Sequence, residues 1–233
     1  MSVISNNDSH PKPLVITRQF NDIDAYAEAI KPLNVTSNQL TPGLFVGSIN
    51  FADFRGLKFT QVNHNQGFRA EGPKSPRDLT FAISLKFGET QVLSHGCPIK
   101  KQDIFGFDRE RETDIVTKKD AHIVMASVDL LIFQSLAEQM GYDLGEKFLK
   151  QNLIRLHPSS LRHLRAYYQQ IAQMLIEEPS LLMQTQMQSL IVEDFLPLLI
   201  NTLGKSALQN RAQSKNFSAF LPCQKSRRDY KVL

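Results

Sequence analysis

Residues 79 to 87 alternate along the chain, with Leu79, Phe81, Ile83, Leu85 and Phe87 apolar and Thr80, Ala82, Ser84 and Lys86 small or polar between them. A period of two describes a strand with one buried face. Shorter runs of strand character at 44–51, 57–64, 91–93, 103–107, 113–117 and 121–128 are bounded by the turn formers Pro42-Gly43, Arg55-Gly56, Gly72-Pro73, Gly88 and Gly96. Many short strands at such spacing predict a barrel or sandwich. Ahead of them, Asn21-Asp22 supplies a helix cap, Ile23, Tyr26, Ala27 and Ile30 follow at helical spacing, and Pro32 ends the helix.

The period returns to helix near Val128. Val128, Ile132, Leu136 and Met140 form one row with Phe133 and Ala137 beside it, and Gly141 stands in the C-cap place. Residues 146–150 predict another short helix. After Pro158 and two serines able to cap, Leu161, Leu164, Tyr168, Ile171 and Leu175 repeat at three and four, so an amphipathic helix runs to about Pro179. The last helix, 181–203, places Met183, Met187, Leu190, Ile191, Phe195, Leu198 and Leu199 on one stripe, with Val192, Leu196 and Ile200 on its flank. An apolar arc this wide must be buried on two sides, and Pro197 inside it should kink the helix by removing a backbone donor.

These elements predict an α+β protein, a β-barrel or sandwich followed by helices. Residues 1–19 read as a disordered leader, 20–128 as the β-rich domain with its short N-terminal helix, 129–204 as a helical segment, and 205–233 as a basic linker. Charge sharpens this division. The chain carries 27 Lys/Arg against 23 Asp/Glu, but seven of the cations and only one acid, Asp229, follow Gly204, which leaves residues 1–204 slightly acidic. A nucleic-acid-binding surface on the body is therefore not indicated. No apolar run approaches the roughly 20 residues of a membrane helix, the N-terminus does not resemble a signal peptide, and a cytoplasmic location is expected with no membrane partner. The two cysteines, Cys97 and Cys223, are expected to be reduced.

The chemistry-bearing motifs point away from catalysis. Phosphate-binding glycine loops, a Gly-x-Ser-x-Gly elbow, a His-Glu-x-x-His helix and a Cys-x-x-Cys pair do not occur in the sequence. A metal-dependent cupin enzyme, the alternative reading, uses two histidines one residue apart. None of the six here, His10, His64, His95, His122, His157 and His163, has another two positions away. No metal and no cofactor are expected, although His64, His95 and His122 remain a set that folding alone could assemble. Asn63-His64-Asn65-Gln66-Gly67-Phe68-Arg69 is the densest run of hydrogen-bonding side chains, suited to orienting a small polar ligand at a barrel mouth, with Arg69 matched to a carboxylate. His122 shares a strand face with Val124 and Ala126, so it points either into a cavity or onto a backbone carbonyl. Phe45, Phe59 and Phe81 are expected to face the interior, as core, as ligand contacts, or as both.

The stretch Phe20-Asn21-Asp22-Ile23-Asp24-Ala25-Tyr26-Ala27-Glu28-Ala29-Ile30, followed by Gln39-Leu40-Thr41-Pro42-Gly43-Leu44-Phe45-Val46-Gly47, resembles the opening of the sensor domain in a group of AraC-type transcription regulators. Weaker likeness continues from Asn65 to Phe81 and through the helices from Pro158 to Leu203. The resemblance implies a cupin-like sensor for a small-molecule effector, helices that form a homodimer, and DNA contact only through a C-terminal helix-turn-helix domain. That domain would begin near Arg227 to Leu233 and is not in these residues. The candidate effector contacts are then His64, Arg69, Phe45, Phe59, Phe81 and His122, and the candidate dimer contacts Met187, Leu190, Ile191, Phe195 and Leu198.

Overall fold

A computed structural model describes residues 14–54, 56–86 and 92–214. In chain order the described elements are β1 (Leu14–Phe20), α1 (Ile23–Ile30), β2 (Thr36–Gln39), β3 (Gly47–Phe54), β4 (Leu57–His64), β5 (Phe68–Gly72), β6 (Asp78–Ser84), β7 (Val92–Ser94), β8 (Cys97–Pro98), β9 (Asp103–Phe105), β10 (Thr113–Thr117), β11 (Ala121–Asp129), α2 (Leu130–Gln139), α3 (Glu146–Leu149), β12 (Leu153–Arg155), α4 (Pro158–Glu177), α5 (Pro179–Leu182) and α6 (Thr185–Ser214). The strands form two antiparallel sheets. The first is ordered β1-β3-β4-β11-β6-β9-β12 and the second β2-β5-β10-β7-β8. Helices follow, so the α+β class is as expected. Each sheet has two edge strands, β1 and β12 or β2 and β8, so of the expected barrel or sandwich the pairing shows two open sheets and no closed barrel.

The first sheet is covered on both faces, which explains why its alternation does not separate buried from exposed. Along β6, Leu79, Phe81 and Ile83 point one way into the main core with Phe133, Leu164, Tyr168 and Phe195 of the helices. Ala82, on the opposite face, packs with Val92, Phe105 and Ile123 against the second sheet. A further cluster between the sheets joins Ile49 of β3 and Phe68 of β5 to Tyr26 and Ile30 of α1. Tyr26 touches Phe45 and Phe68 at centroid distances of 5.0 and 5.5 Å, a plug of rings closing that end of the sandwich.

The helix boundaries have local causes. Asp22 caps α1 by accepting from the Ala25 amide at 3.1 Å, and Asp129 caps α2 by accepting from the Leu131 and Ile132 amides at 2.9 and 3.2 Å. After α2, Gly141 adopts φ 75°, while the Tyr142 amide donates to the Ala137 carbonyl and the Gly141 amide to the Glu138 carbonyl, both at 2.9 Å. This is a Schellman closure, for which glycine is the least strained residue. Helix α4 starts with Pro158 as its first residue and His157 as cap, its Nδ1 accepting from the Ser159 amide at 3.4 Å; the expected serine caps are not used.

Several expectations need correction. Residues 14–19 of the expected leader belong to β1, whose whole length pairs with β3 from Leu14↔Asp53 to Phe20↔Gly47; residues 1–13 lie outside the described residues. The polar run 63–69, expected at a barrel mouth, spans the end of β4 at His64 and the start of β5 at Phe68, which pairs with both β10 and β2. The single helix expected at 181–203 is two, α5 and α6, and the Gln188 Nε2 donates at 2.8 Å to the buried Leu182 carbonyl where they meet. Helix α6 then continues through Pro197 and past Gly204 to Ser214, so the first ten residues of the expected linker are helical. Gly204 does not terminate the helix: a side chain there would meet the Tyr142 ring at 2.2 Å, and the glycine permits that close approach. Cys97 is disulfide-bonded, against the expected free thiol; the other cysteine, Cys223, lies outside the described residues.

Candidate functional site

Six residues were expected to meet an effector, and the fold distributes them over three places. His64 and Phe45 lie at the space between the sheets. His64 is buried at the end of β4, its Nδ1 2.8 Å from the Gln66 carbonyl oxygen and its Nε2 3.4 Å from Thr117 Oγ1, with its ring 4.8 Å from that of Phe68. Burial lowers its pKa from the ordinary value, and the Gln66 carbonyl and Asp120 only partly offset this. A neutral imidazole that donates from Nδ1 to Gln66 leaves Nε2 as an acceptor toward Thr117. The buried polar residues Thr60, Ser84 and Ser94 sit at inward positions on their strands. The interior is thus apolar at both ends and carries neutral hydrogen-bonding groups between.

Arg69 lies on the opposite face of β5 from the inward Phe68 and Ala70. Its guanidinium bonds Glu71 at 2.5 Å and Asp114 Oδ1 at 3.3 Å, so the carboxylates it meets are the protein's own.

Phe59, Phe81 and His122 occupy the helix-covered face of the first sheet, where the two rings face the interior as part of the core under the helices. Phe59 contacts Phe195 and Tyr168 at 4.8 and 5.9 Å, and Phe81 packs on Phe107 and Phe133. The Tyr168 hydroxyl donates to the Phe81 carbonyl at 2.8 Å, tying α4 to β6. His122 belongs to a row of neutral side chains: Asn50 donates to Gln61 at 3.1 Å, and Gln61 Nε2 lies 2.8 Å from His122 Nε2. Its pKa is lowered by burial first and by Lys86 second. His64 and His122 therefore face opposite sides of one sheet, and among the described residues no group of three or more His, Cys, Asp or Glu could hold a metal ion.

The helices form a groove of about 440 Å³ between α4 and α6, lined in part by Tyr167, Met174, Glu177, Met187, Leu190 and Asp194. It includes three of the expected dimer residues, Met187, Leu190 and Ile191. Leu190 is 54% exposed, whereas Ile191 and Phe195 are spent in the chain's own core. Leu198 packs partly against that core. Tyr167, Met174 and the acidic rim were missed because helical periodicity marks α4 as amphipathic without indicating which neighbour leaves a gap beside it. Desolvation, with a smaller contribution from Asp194, pushes the Tyr167 hydroxyl pKa up to about 12.

Two antiparallel sheets followed by packed helices define the class of this chain as an α+β sandwich with a helical C-terminal layer. Its fold is similar to that in the crystal structure of the AraC-like transcriptional activator CuxR, with a TM-score of 0.56 at 12% sequence identity, covering 82% of this chain and 70% of that one. At this identity the likeness is one of fold. No protein-family model matches the sequence, and no curated protein matches it. No helix among the described residues is long and apolar enough to cross a membrane.

Proposed function

We propose that this chain is the effector-sensing and dimerisation part of an AraC-type transcription regulator. A small molecule held by the sandwich would bias how the helical layer presents one copy to another. The observation that carries this reading is the fold likeness to an AraC-like activator over most of the chain. The interior around His64 and Phe45 is the favoured effector region, since neutral polar groups there lie between apolar clusters. His122, Phe59 and Phe81 contribute through the sheet that the helices rest on, and Arg69 through its place on β5. To switch the assembly, the effector must bind one helix packing better than the other by a few kcal/mol.

The dimer surface in this reading is the outward side of α6, where Met187, Leu190 and Leu198 lie on one stripe that the exposed Leu208 extends. Ile191 and Phe195 would support that surface from beneath. In this reading DNA contact falls to a helix-turn-helix domain as the AraC-type resemblance implies, no cofactor is required, and the protein works in the cytoplasm. The metal-enzyme alternative lacks support among the described residues, which assemble no metal-holding cluster.

Sedimentation velocity over a wide concentration range tests the reading. Reversible pairing is expected, and a chain that stays strictly monomeric at high concentration would remove its basis.

A further inference from the structure

We propose that the groove between α4 and α6 is a binding site for a bulky organic cation, in which apolar groups surround a single positive charge. Its floor is apolar, with Ile171 and Ile191 buried at the base and Met174, Leu181, Met187 and Leu190 around them, while Gln170 and Gln173 add neutral polar groups on the α4 side. Its rim carries three carboxylates, Glu177, Glu178 and Asp194, and among the described residues no lysine or arginine lines it. A cavity of about 440 Å³ accommodates a ligand of several rings.

Each alternative ligand class meets a mismatch. A small hydrated inorganic cation would have to surrender water to methionine and leucine side chains that replace none of its hydration. A neutral apolar molecule gains nothing from the three carboxylates, and an anion is repelled by them. A delocalised organic cation is weakly hydrated, benefits from the carboxylates at the mouth, and can meet the Tyr167 ring face and the polarisable Met174 and Met187 sulfurs. A second copy centred on this groove about a twofold axis would bring the same three carboxylates toward their counterparts, a like-charge contact that a cation avoids.

This inference competes with the proposed dimer surface for Met187 and Leu190, so it requires that pairing leave the groove open. Sedimentation reports on pairing, and titration with a probe reports on the groove.

The probe is tetraphenylphosphonium, titrated calorimetrically into the full chain, with tetraphenylborate as a control of the same shape and opposite charge. Saturable binding of one phosphonium per chain is expected, with the borate weaker by about tenfold or more. Asp194→Asn combined with Glu177→Gln should weaken the phosphonium by about fivefold or more and should not weaken the borate. Leu190→Trp, which fills the groove from an exposed position, should abolish phosphonium binding. Equal binding of the two ions, no saturable binding, or phosphonium binding untouched by both variants would overturn the proposal. So would phosphonium binding that disappears as rising protein concentration drives pairing, because the groove would then belong to a second copy.

Discussion

His64 is a titratable group enclosed at the junction of the two sheets, and its proton has an energetic consequence for the fold. Its folded pKa lies below the ordinary 6.5, so the unfolded chain takes up the proton first as pH falls. Stability linked to this residue is complete above pH 6.5 and is lost as pH drops from there toward the folded value. His95 and His122 shift in the same direction, with desolvation the leading cause in both. The expected result is a lower Tm at pH 5.5 than at pH 7.5, with His64→Gln narrowing the difference; thermal melts at both pH values check it, and an unchanged difference would exclude His64 as a contributor. Gly204 offers a second test at this scale. Alanine at an ordinary helix position would gain about 1 kcal/mol over glycine, but here its Cβ would lie 2.2 to 2.6 Å from Tyr142 ring atoms. Tyr142 is held by a 2.7 Å hydrogen bond to Asn201. Overpacking of this kind costs about 1–3 kcal/mol, so Gly204→Ala should lower Tm, and adding Tyr142→Ala should reverse the sign of the Gly204→Ala effect.

Among the elements, α2 and α4 show which polar groups fix the helices that the apolar core holds on the sheet. Asp129 satisfies two amides at the start of α2, and Asp129→Ala should cost about 1 kcal/mol in chemical denaturation with little change in slope. Helix α4 is fastened by Tyr168 to the Phe81 carbonyl and by Arg165, whose Nη1 and Nη2 donate to the Ser84 and Lys101 carbonyls at 2.8 and 2.6 Å. Tyr168→Phe preserves the ring contacts with Phe59 and Phe195 but removes the donor from a fully buried position. About 1–2 kcal/mol should be lost in the same denaturation measurement, the cost of leaving a buried acceptor without this partner.

For the molecule as a whole, the first sheet separates two compartments. One face encloses the His64 interior with the second sheet, and the other meets α2, α4 and α6 across the large aromatic core. A change of packing inside the sandwich can reach the helices through first-sheet strands such as β3, β4, β6, β9 and β11, whose inward and outward side chains alternate. If pairing uses the outer side of α6, Leu190→Glu should weaken it by at least about tenfold in sedimentation equilibrium, through burial of an unpaired charge, while the Tm of the dilute monomer changes little. An unaltered association constant would move the interface elsewhere.

The strands β4 and β10 have the limits that local pattern predicts, because turn formers flank β4 and residues of strand character fill both. Likewise, α1 shows its cap, its apolar spacing and its end in consecutive residues. Strand β1 was illegible because Leu14–Phe20 lacks a strong alternation of its own and becomes a strand by pairing along β3. Strand β5 was hidden among polar residues for the same reason, its partners being β2 and β10. A period of two places Leu57 with Phe59, Leu79 with Phe81, and His122 with Val124 on one face of their own strands, but does not say that these three faces align or whether helices or a second sheet lie above them. The sequence by itself determined the elements whose hydrogen bonds and caps are local. Which apolar face meets which layer, that α6 passes Gly204, and that three acids rim a groove beside Leu190 were decided by tertiary packing, since each depends on residues far apart in the chain.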